Sequence, residues 1–251
     1  MQTSTMIRNV GRGLAVLWGT ALAPEAIAGP WEVGGTGVDR KRKLKAEVAL
    51  RESPDSRVWA RPVLGYALPY SDALSFEVAH GYGVVEQEGG RRSGVRDLDV
   101  KLKYQLARET PEQLAWLIEP KLSVPVGDER SGIGRGRYAL ELPLRASRTV
   151  DALTYTAEAR YTHVFGAERA QQLWGVGGLI EYVPAPTWVV GIDLFADTVL
   201  NDAGRYHLRS NVAGKWRPSD TFEVQALVGR SVSNRRGPEQ TSYKLVFEYK
   251  Y

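Results

Sequence analysis

The strongest constraint in this sequence is an alternation of apolar and charged side chains with a period of two residues. Between residues 98 and 106, leucine, valine and tyrosine take the even positions, whereas aspartate, lysine and glutamine take the odd positions. Between residues 243 and 251, aromatic residues and leucine take the odd positions, and lysine and glutamate take most of the even ones. Because successive side chains of a β-strand point to opposite faces, each segment has one apolar and one charged face. The chain is therefore predicted to be all-β.

About twelve segments with this alternation follow one another from residue 42 to the C-terminus. They average about 19 residues per strand and connection, which suits membrane strands better than the shorter strands of soluble proteins. Short turns alternate with longer, glycine-rich connections, as at the two rims of an outer-membrane barrel. We therefore expect a closed up-and-down antiparallel transmembrane β-barrel of about 12 strands. The predicted segments are 42–51, 57–68, 74–85, 95–106, 113–125, 138–147, 153–165, 172–182, 188–197, 205–217, 221–230 and 240–251.

Aromatic residues lie at the ends of the predicted strands, where the rings of membrane barrels meet the membrane–water interface. If the first strand runs outward, these residues form two belts. A periplasmic β-sandwich is the alternative, but its apolar faces would meet in a core and its strands would be shorter. The expected periplasmic belt is Tyr104, Trp116, Tyr155, Tyr182, Trp188, Trp216, Phe222, Tyr249 and Tyr251, and the expected outer belt is Tyr138, Tyr161, Phe165, Trp174, Tyr206 and Tyr243.

Composition excludes several other classes of protein. No run of about 18 apolar residues occurs, which excludes a helical membrane protein. The chain has no cysteine, which excludes a disulfide framework and a thiolate metal site. Its 33 basic and 29 acidic residues are interspersed rather than grouped, so no nucleic-acid partner is expected.

The N-terminus has the three regions of a secretory signal peptide in their usual order. Arg8 and Arg12 precede an apolar stretch at 14–23, and residues 26–28 supply small side chains for the cleavage site. Residues 1–28 are therefore predicted to be a signal peptide that is removed on export, which implies an envelope protein.

The rest of the chain divides into a short lead and the barrel. Residues 29–41 are expected to be a flexible periplasmic N-terminal segment, and 42–251 the outer-membrane barrel. The glycine-rich stretch 34–37 leaves open the alternative that this segment folds into the lumen as a plug.

Two stretches resemble known outer-membrane sequences. Residues 243–251 resemble the terminal strand signal read by the outer-membrane assembly machinery, although Tyr251 replaces the usual final Phe. Residues 120–128, followed by Gly132-Ile133-Gly134, resemble the strand-and-loop motif of a large bacterial barrel family. That family is labelled transporter-like and is linked to the meta pathway of phenol degradation. The resemblance implies a bacterial outer-membrane channel for an unknown small solute, and aromatic or other hydrophobic compounds are the candidates. The expected partners are outer-membrane lipid and the outer-membrane assembly machinery.

The charged faces of the predicted strands should enclose the lumen. One interpretation is a narrow aqueous path whose charges set solute preference, and the alternative is an interior closed by cross-strand ion pairs. We expect the pore-lining residues to be Lys101, Lys103, Glu119, Lys121, Glu141, Arg145, Glu158 and Arg160. Other residues predicted to face inward are Lys43, Lys45, Glu47, Asp97, Asp99, Arg209, Lys215, Glu223, Lys244, Glu248 and Lys250.

Passive passage of small solutes is the function that this pattern favours, with no enzymatic activity, catalytic residue, metal or cofactor. A non-conducting structural or surface-interaction barrel is one alternative. An outer-membrane lipid hydrolase is another, because it would need a nucleophile and a base in contact at the outer rim. The candidate bases are His80, His163 and His207, and none of them lies in a recognisable serine-containing motif.

Overall fold

The computed structural model describes residues 30–166, 171–200 and 202–251, so the predicted signal peptide lies outside the described residues. In these ranges nearly all of the regular structure is β, as the two-residue alternation predicts. No helix among the described residues has the length and hydropathy needed to cross a membrane. The strands are β1 Lys43–Ser53, β2 Ser56–Ser71, β3 Leu74–Gln87, β4 Gly90–Val95, β5 Leu98–Ala107, β6 Ala115–Ile118, β7 Lys121–Val124, β8 Ala139–Val150, β9 Leu153–Val164, β10 Gln171–Ala185, β11 Trp188–Val199, β12 Asp202–Trp216, β13 Phe222–Asn234 and β14 Thr241–Lys250.

The strands form one closed antiparallel barrel. Neighbouring strands of the wall pair antiparallel in chain order, apart from two interrupted strands, and β1 pairs with β14 to close the ring. The closing seam is regular and runs from Lys43 opposite Lys250 to Glu52 opposite Thr241. Closure leaves no unpaired edge, which a sheet in hydrocarbon requires. The predicted closed barrel is therefore confirmed.

Two of the barrel strands are each interrupted once, so the fourteen segments make a barrel of twelve strands. β4 and β5 both pair with β3 and form one strand with a break at Arg96 and Asp97. β6 and β7 form another, because both pair with β5 and β8. The second break falls at Pro120, which has no N–H to donate. Its carbonyl still accepts a hydrogen bond from the Leu102 N–H at 2.9 Å, so the wall stays continuous.

The two rims of the barrel differ in their connections. β1 begins and β14 ends at the same rim, here called the terminal rim, where short connections such as 151–152 and 186–187 also lie. The longer connections 125–138 and 235–240 lie at the opposite rim, here called the loop rim. This alternation is the one that the sequence predicted for an outer-membrane barrel.

The two faces of the barrel wall are chemically opposite. Lys101 and Lys103 point inward and are 2% and 9% exposed, whereas the outward Val176 is 63% exposed. Most of the large apolar side chains on the outer surface are exposed in this way, along every side of the barrel. A soluble monomer rarely exposes a continuous apolar surface of this extent, whereas lipid covers it. The alternative of a soluble sandwich is therefore wrong.

Aromatic side chains mark both rims on the outer surface. At the terminal rim Trp188 and Trp216 stack with ring centroids 6.1 Å apart, and Tyr249 and Tyr251 stack at 6.0 Å. At the loop rim Trp174 packs against Tyr161 at 5.1 Å. Rings with one polar edge are suited to the interface between acyl chains and water. The two belts of rings therefore mark the upper and lower limits of the outer surface that lipid covers.

Candidate functional site

The barrel interior is lined by buried charged side chains. All eight residues predicted to line the lumen lie on the inner wall and are buried. They are carried by four neighbouring strands of the wall, namely β5, the β6–β7 strand, β8 and β9. Their position on the inner face follows from parity, because a side chain two residues along a strand returns to the same face.

One group of interior charges joins β1, β3 and β5. Glu77 is buried between two lysines, with Lys45 at 2.6 Å and Lys101 at 3.3 Å. Lys103 lies 3.9 Å from the same carboxylate and 2.9 Å from Asp39. Opposite charges at this spacing stabilise each other in a low-dielectric interior, and each would be costly without its partner.

A second group joins the β6–β7 strand, β8 and β9. Arg145 contacts Glu119 at 3.2 Å and Glu158 at 2.6 Å, and Arg160 donates to Glu158 at 2.8 Å. Nearer the loop rim, Lys121 and Glu141 form a pair at 2.7 Å. The residues predicted as pore-lining are thus held in two networks of ion pairs and one further pair, which fix their side chains against the wall.

The N-terminal segment lies inside the lumen. Trp31 and Val33 are 3% and 0% exposed, and Asp39 is buried as well. The expectation of a flexible periplasmic lead for 29–41 is therefore wrong for its described residues, and the alternative of insertion holds. The physical reason is that the segment buries apolar side chains and pairs its charges with the wall. We call residues 30–40 the plug.

The plug crosses the lumen from one wall to the opposite one. Near the terminal rim the Asp39 N–H donates to the Ser75 hydroxyl of β3 at 3.1 Å. Deeper in the barrel, the Val33 N–H donates to the Asp193 carboxylate of β11 at 3.1 Å. In the ring of twelve strands, β3 and β11 are half a turn apart. A segment bound to both of these strands lies across the lumen.

A small hydrophobic core holds the plug against β10–β13. Trp31 and Val33 pack with Leu179, Phe195 and other apolar residues of the inner wall. Lys215 places its ammonium group 4.4 Å from the centroid of the Trp31 ring, a cation–π contact. Burial of a side chain as large as tryptophan makes this the main apolar contribution to plug seating.

Glycines on the inner wall make room for this core. A Cβ at Gly177 would lie 2.6 Å from both Val33 and Phe195, and a Cβ at Gly191 would lie 2.9 Å from the Trp31 ring. Both positions face inward, where any larger side chain would meet the plug or the ring that supports it. The plug seat therefore depends on glycine at these positions.

Polar anchors complete the seat of the plug. Asp193 accepts hydrogen bonds from the Glu32 and Val33 N–H groups and from the Asn211 amide. Thr36 shares a hydrogen bond with Ser147 on β8. A buried carboxylate that accepts three hydrogen bonds is satisfied only while the plug is seated.

Asp39 is the electrostatic anchor at the terminal rim. It contacts Lys43 at 2.7 Å and Lys103 at 2.9 Å. Burial raises the pKa of Asp39, but the charges of Lys103, Lys45 and Lys43 outweigh burial and hold this pKa well below its usual range. Asp39 is therefore ionised, and its ion pairs persist, at neutral and mildly acidic pH.

The connection 125–138 folds inward at the loop rim. The Asp97 carboxylate accepts hydrogen bonds from the Gly127 N–H at 3.2 Å and from the Arg135 N–H at 2.9 Å. Ile133 is buried at the inward-facing Gly83 of β3, where a Cβ would lie 2.8 Å from its side chain. Asp97 was predicted to face the lumen, and it does so by tying this connection to the inner wall.

The three histidines lie on different strands, and His80 is on the outer face of β3 opposite the exposed Leu64. His163 lies on the outer surface with its ring 4.6 Å from Phe165, and its cross-strand neighbours are Leu140 and Gln172. His207 lies inside, and its Nε2 is 2.8 Å from the Ser231 hydroxyl. Within the described part of the chain that hydroxyl is its one hydrogen-bonding partner. Neither arrangement has the nucleophile, base and orienting group of a hydrolase.

Sequence reasoning missed several functional residues that the structure brings together. Trp31, Glu32 and Phe195 belong to the plug and its seat, and Arg51 and Arg135 line the lumen beyond the plug. For Phe195 a signal was present, because it shares the parity of the inward Asp193 and Asp197 on β11. For the plug the signal was weaker, because its glycines and charges follow no regular period.

Comparisons with known proteins agree with this architecture. No protein-family model and no curated protein matches the chain. Among solved structures, the COG4313 outer membrane channel from Pseudomonas putida F1 matches with a TM-score of 0.70 at 14% identity, over 91% of this chain and 100% of that chain. The NanC porin matches with a TM-score of 0.58 at 10% identity, over 83% of this chain and 100% of that chain. A KdgM porin in complex with disordered oligogalacturonate matches with a TM-score of 0.54 at 15% identity, over 83% and 99%. The chain therefore has the fold of an outer-membrane β-barrel channel.

Proposed function

We propose that the chain is an outer-membrane channel for the passive passage of small solutes, closed in this structure by its own plug. The observation that carries the proposal is a charged lumen wide enough to hold a segment of chain running from β3 to the opposite β11. A lumen that holds a peptide backbone has room for a small solute once the plug moves aside. The contacts that hold the plug are ion pairs, hydrogen bonds and one small apolar core, all of them reversible.

The orientation in the membrane follows from the proposed location. We place the terminal rim in the periplasm and the loop rim outside the cell, as in outer-membrane barrels with short periplasmic turns. The C-terminal strand β14 would then be the segment read by the assembly machinery, and lipid would cover the apolar outer surface. Removal of residues 1–28 on export is part of the same proposal.

The eight interior residues named from the sequence are proposed to act as the wall of this path. Their ion pairs set a fixed pattern of charge along the lumen, which acts on any charged solute that passes. Membership of the transporter-like family linked to phenol degradation is a finer proposal, supported by the motif at 120–128 and 132–134.

The test is conductance across a planar lipid bilayer. The full-length barrel is compared with a variant that lacks residues 30–40, after heat-modifiable gel migration has shown that both are folded. We expect small or rare conductance from the full-length barrel and a larger, steady conductance from the deletion variant. A folded deletion variant that passes neither current nor solute would refute the channel and would favour a structural or surface-interaction barrel.

We propose no enzymatic activity. His207 and Ser231 are in contact, but the pair lacks a third, orienting group, and its interior position keeps it from lipid substrates. Hydrolysis of a short-chain ester by the folded barrel, lost in His207→Ala or in His163→Ala, would contradict this part of the proposal.

A further inference from the structure

Four arginines converge in the lumen on the loop-rim side of the plug. They come from four separate parts of the chain, namely β1, the connection 125–138, β9 and β12, and all of them line one cavity. Arginine offers a planar fork of donors that matches the oxygens of carboxylate and phosphate groups. We call Arg51, Arg135, Arg160 and Arg209 the arginine cluster.

The carboxylates around this cavity do not balance the cluster. Glu141 and Asp197 also line it, and Glu158, which Arg160 contacts at 2.8 Å, is shared with Arg145. Glu141 is already paired with Lys121 at 2.7 Å. Asp197 contacts Arg209 at 2.7 Å and also contacts Arg236, which brings a fifth guanidinium group to the edge of the site. The cavity therefore has a positive field that favours an anion.

The cluster is held in place by an aromatic ring. The guanidinium carbons of Arg160 and Arg209 lie 4.4 Å and 5.3 Å from the centroid of the Phe195 ring. That ring lies over Gly175 and Gly177, where a Cβ would approach it to within 2.4 Å and 2.6 Å. A charged side chain stacked on a buried ring loses little further freedom when it binds a ligand, so the site is pre-organised.

Two donors of the cluster have no partner in the described protein. The Nε of Arg209 and the Nη1 of Arg135 are buried and make no hydrogen bond. Buried donors are nearly always satisfied in folded proteins, so these two are available to an acceptor in the cavity. An oxyanion in the cavity supplies acceptor oxygens for such donors.

The plug already places one carboxylate on this cluster. The Glu32 side chain contacts Arg209 at 2.6 Å, and the Glu32 backbone carbonyl accepts a hydrogen bond from Arg160 at 2.9 Å. Glu32 also lines a second cavity, which is open to solvent and is shared with Arg51 and Arg209. The site thus holds an acid from the chain itself, beside a cavity that is open to solvent.

We propose that the arginine cluster is a binding site for small oxyanions, and that the Glu32 carboxylate is an internal occupant which a solute oxyanion displaces. Displacement removes the contact of the Glu32 carboxylate with Arg209, so solute binding weakens the seating of the plug. The inference rests on the proposed function, because the solute reaches the cluster from the loop rim. The solute class that it assigns is small compounds that carry a carboxylate or a phosphate group.

The test is calorimetric titration of the full-length folded barrel, which does not depend on conduction. Benzoate and inorganic phosphate are the two oxyanion probes, and benzyl alcohol is an uncharged match for the shape of benzoate. We expect saturable binding of an oxyanion and none of benzyl alcohol. Binding of benzoate alone identifies an organic carboxylate as the ligand, and binding of phosphate alone identifies a free inorganic oxyanion.

Two variants change the site in opposite directions. Glu32→Gln removes the internal occupant and should tighten oxyanion binding about tenfold, whereas Arg209→Gln should weaken it at least tenfold. Lys250→Gln is the matched control, because it removes a positive charge near the terminal rim, where Lys250 pairs with Glu223 at 3.0 Å. It should leave the affinity unchanged.

Three results would overturn the inference. They are equal heats for benzoate, phosphate and benzyl alcohol, an unchanged affinity in Glu32→Gln, or an equal loss in Arg209→Gln and Lys250→Gln. Because Glu32 lies in the plug and not in the barrel wall, its variant remains informative if Arg209→Gln fails to fold. A barrel that conducts but binds no oxyanion would refute this inference alone, and one that binds oxyanions but never conducts would refute only the channel.

Discussion

Trp31→Ala is the sharpest test of whether the plug closes the lumen. Trp31 is the largest side chain that the plug buries, at 3% exposure, and it packs on the inner wall at Gly191. Truncation of a buried tryptophan to alanine costs about 3–5 kcal/mol, because transfer free energy is lost and a cavity remains. The Lys215 contact is lost as well, whereas no hydrogen bond is lost, since the indole N–H is unpartnered.

The lower value of about 3 kcal/mol corresponds to a change of roughly a hundredfold in the ratio of seated to unseated plug. We expect the fraction of time in the high-conductance state, in single-channel recordings, to rise by this order until it approaches that of the variant lacking 30–40. The barrel wall is unchanged by the substitution, so the thermal unfolding of the barrel should shift much less than the open fraction.

Trp188→Ala is the matched control, because Trp188 is 46% exposed on the outer surface and does not touch the plug. It removes the same side chain from the lipid interface and should leave the open fraction unchanged. The reasoning is refuted if Trp31→Ala gates like the unmodified barrel while the deletion variant conducts freely. It is equally refuted if Trp188→Ala opens the channel to the same extent.

Further predictions concern the seat, the wall and the outer surface. Gly177→Val should open the channel as Trp31→Ala does, because its Cβ would meet Val33 and Phe195 at 2.6 Å, and conductance measures it. Glu77→Gln removes the carboxylate charge that the buried Lys45 and Lys101 share, and it should lower the unfolding free energy by about 3–5 kcal/mol in urea titration. Val176→Arg puts a charge on the lipid-facing surface. It should lower the free energy of unfolding in a bilayer by about 2–4 kcal/mol. At any pH above 3.8, the ordinary pKa of an aspartate, the ionised Asp39 carboxylate stabilises the seated plug in full. This stabilisation is lost only as the pH falls through the lowered pKa of Asp39. Conductance should therefore be the same at pH 7 and pH 5, and opening with a midpoint near pH 6 would contradict this role of Asp39.

The wall of the barrel could be predicted from the sequence because one physical rule decides it. Strand side chains alternate between faces, so the exposed Val176 and the buried Lys101 follow from parity alone. The same rule identified the eight interior charges and the strand limits to within a few residues. It also placed Arg209 inside, although it gave no information about which partners that arginine would meet.

The plug and the arginine cluster could not be predicted because they depend on contacts between distant parts of the chain. Glu32 and Arg209 are far apart in sequence, and neither carries a local pattern that points to the other. The inward position of Arg135 depends on Asp97, which folds the connection 125–138 back onto the wall. Gly177 and Gly191 are ordinary strand glycines in the sequence, and only the rings packed against the wall show why a side chain does not fit.

The plug is joined directly to β1, with Asp39 contacting Lys43 at the first residue of that strand. A detached plug therefore stays within about 40 Å of its seat, since an extended chain spans about 3.5 Å per residue. Such a tether gives the segment an effective concentration in the millimolar range, and rebinding is an intramolecular event. Openings of this barrel are consequently expected to be brief and independent of protein concentration, with closure faster than any second molecule could block the lumen.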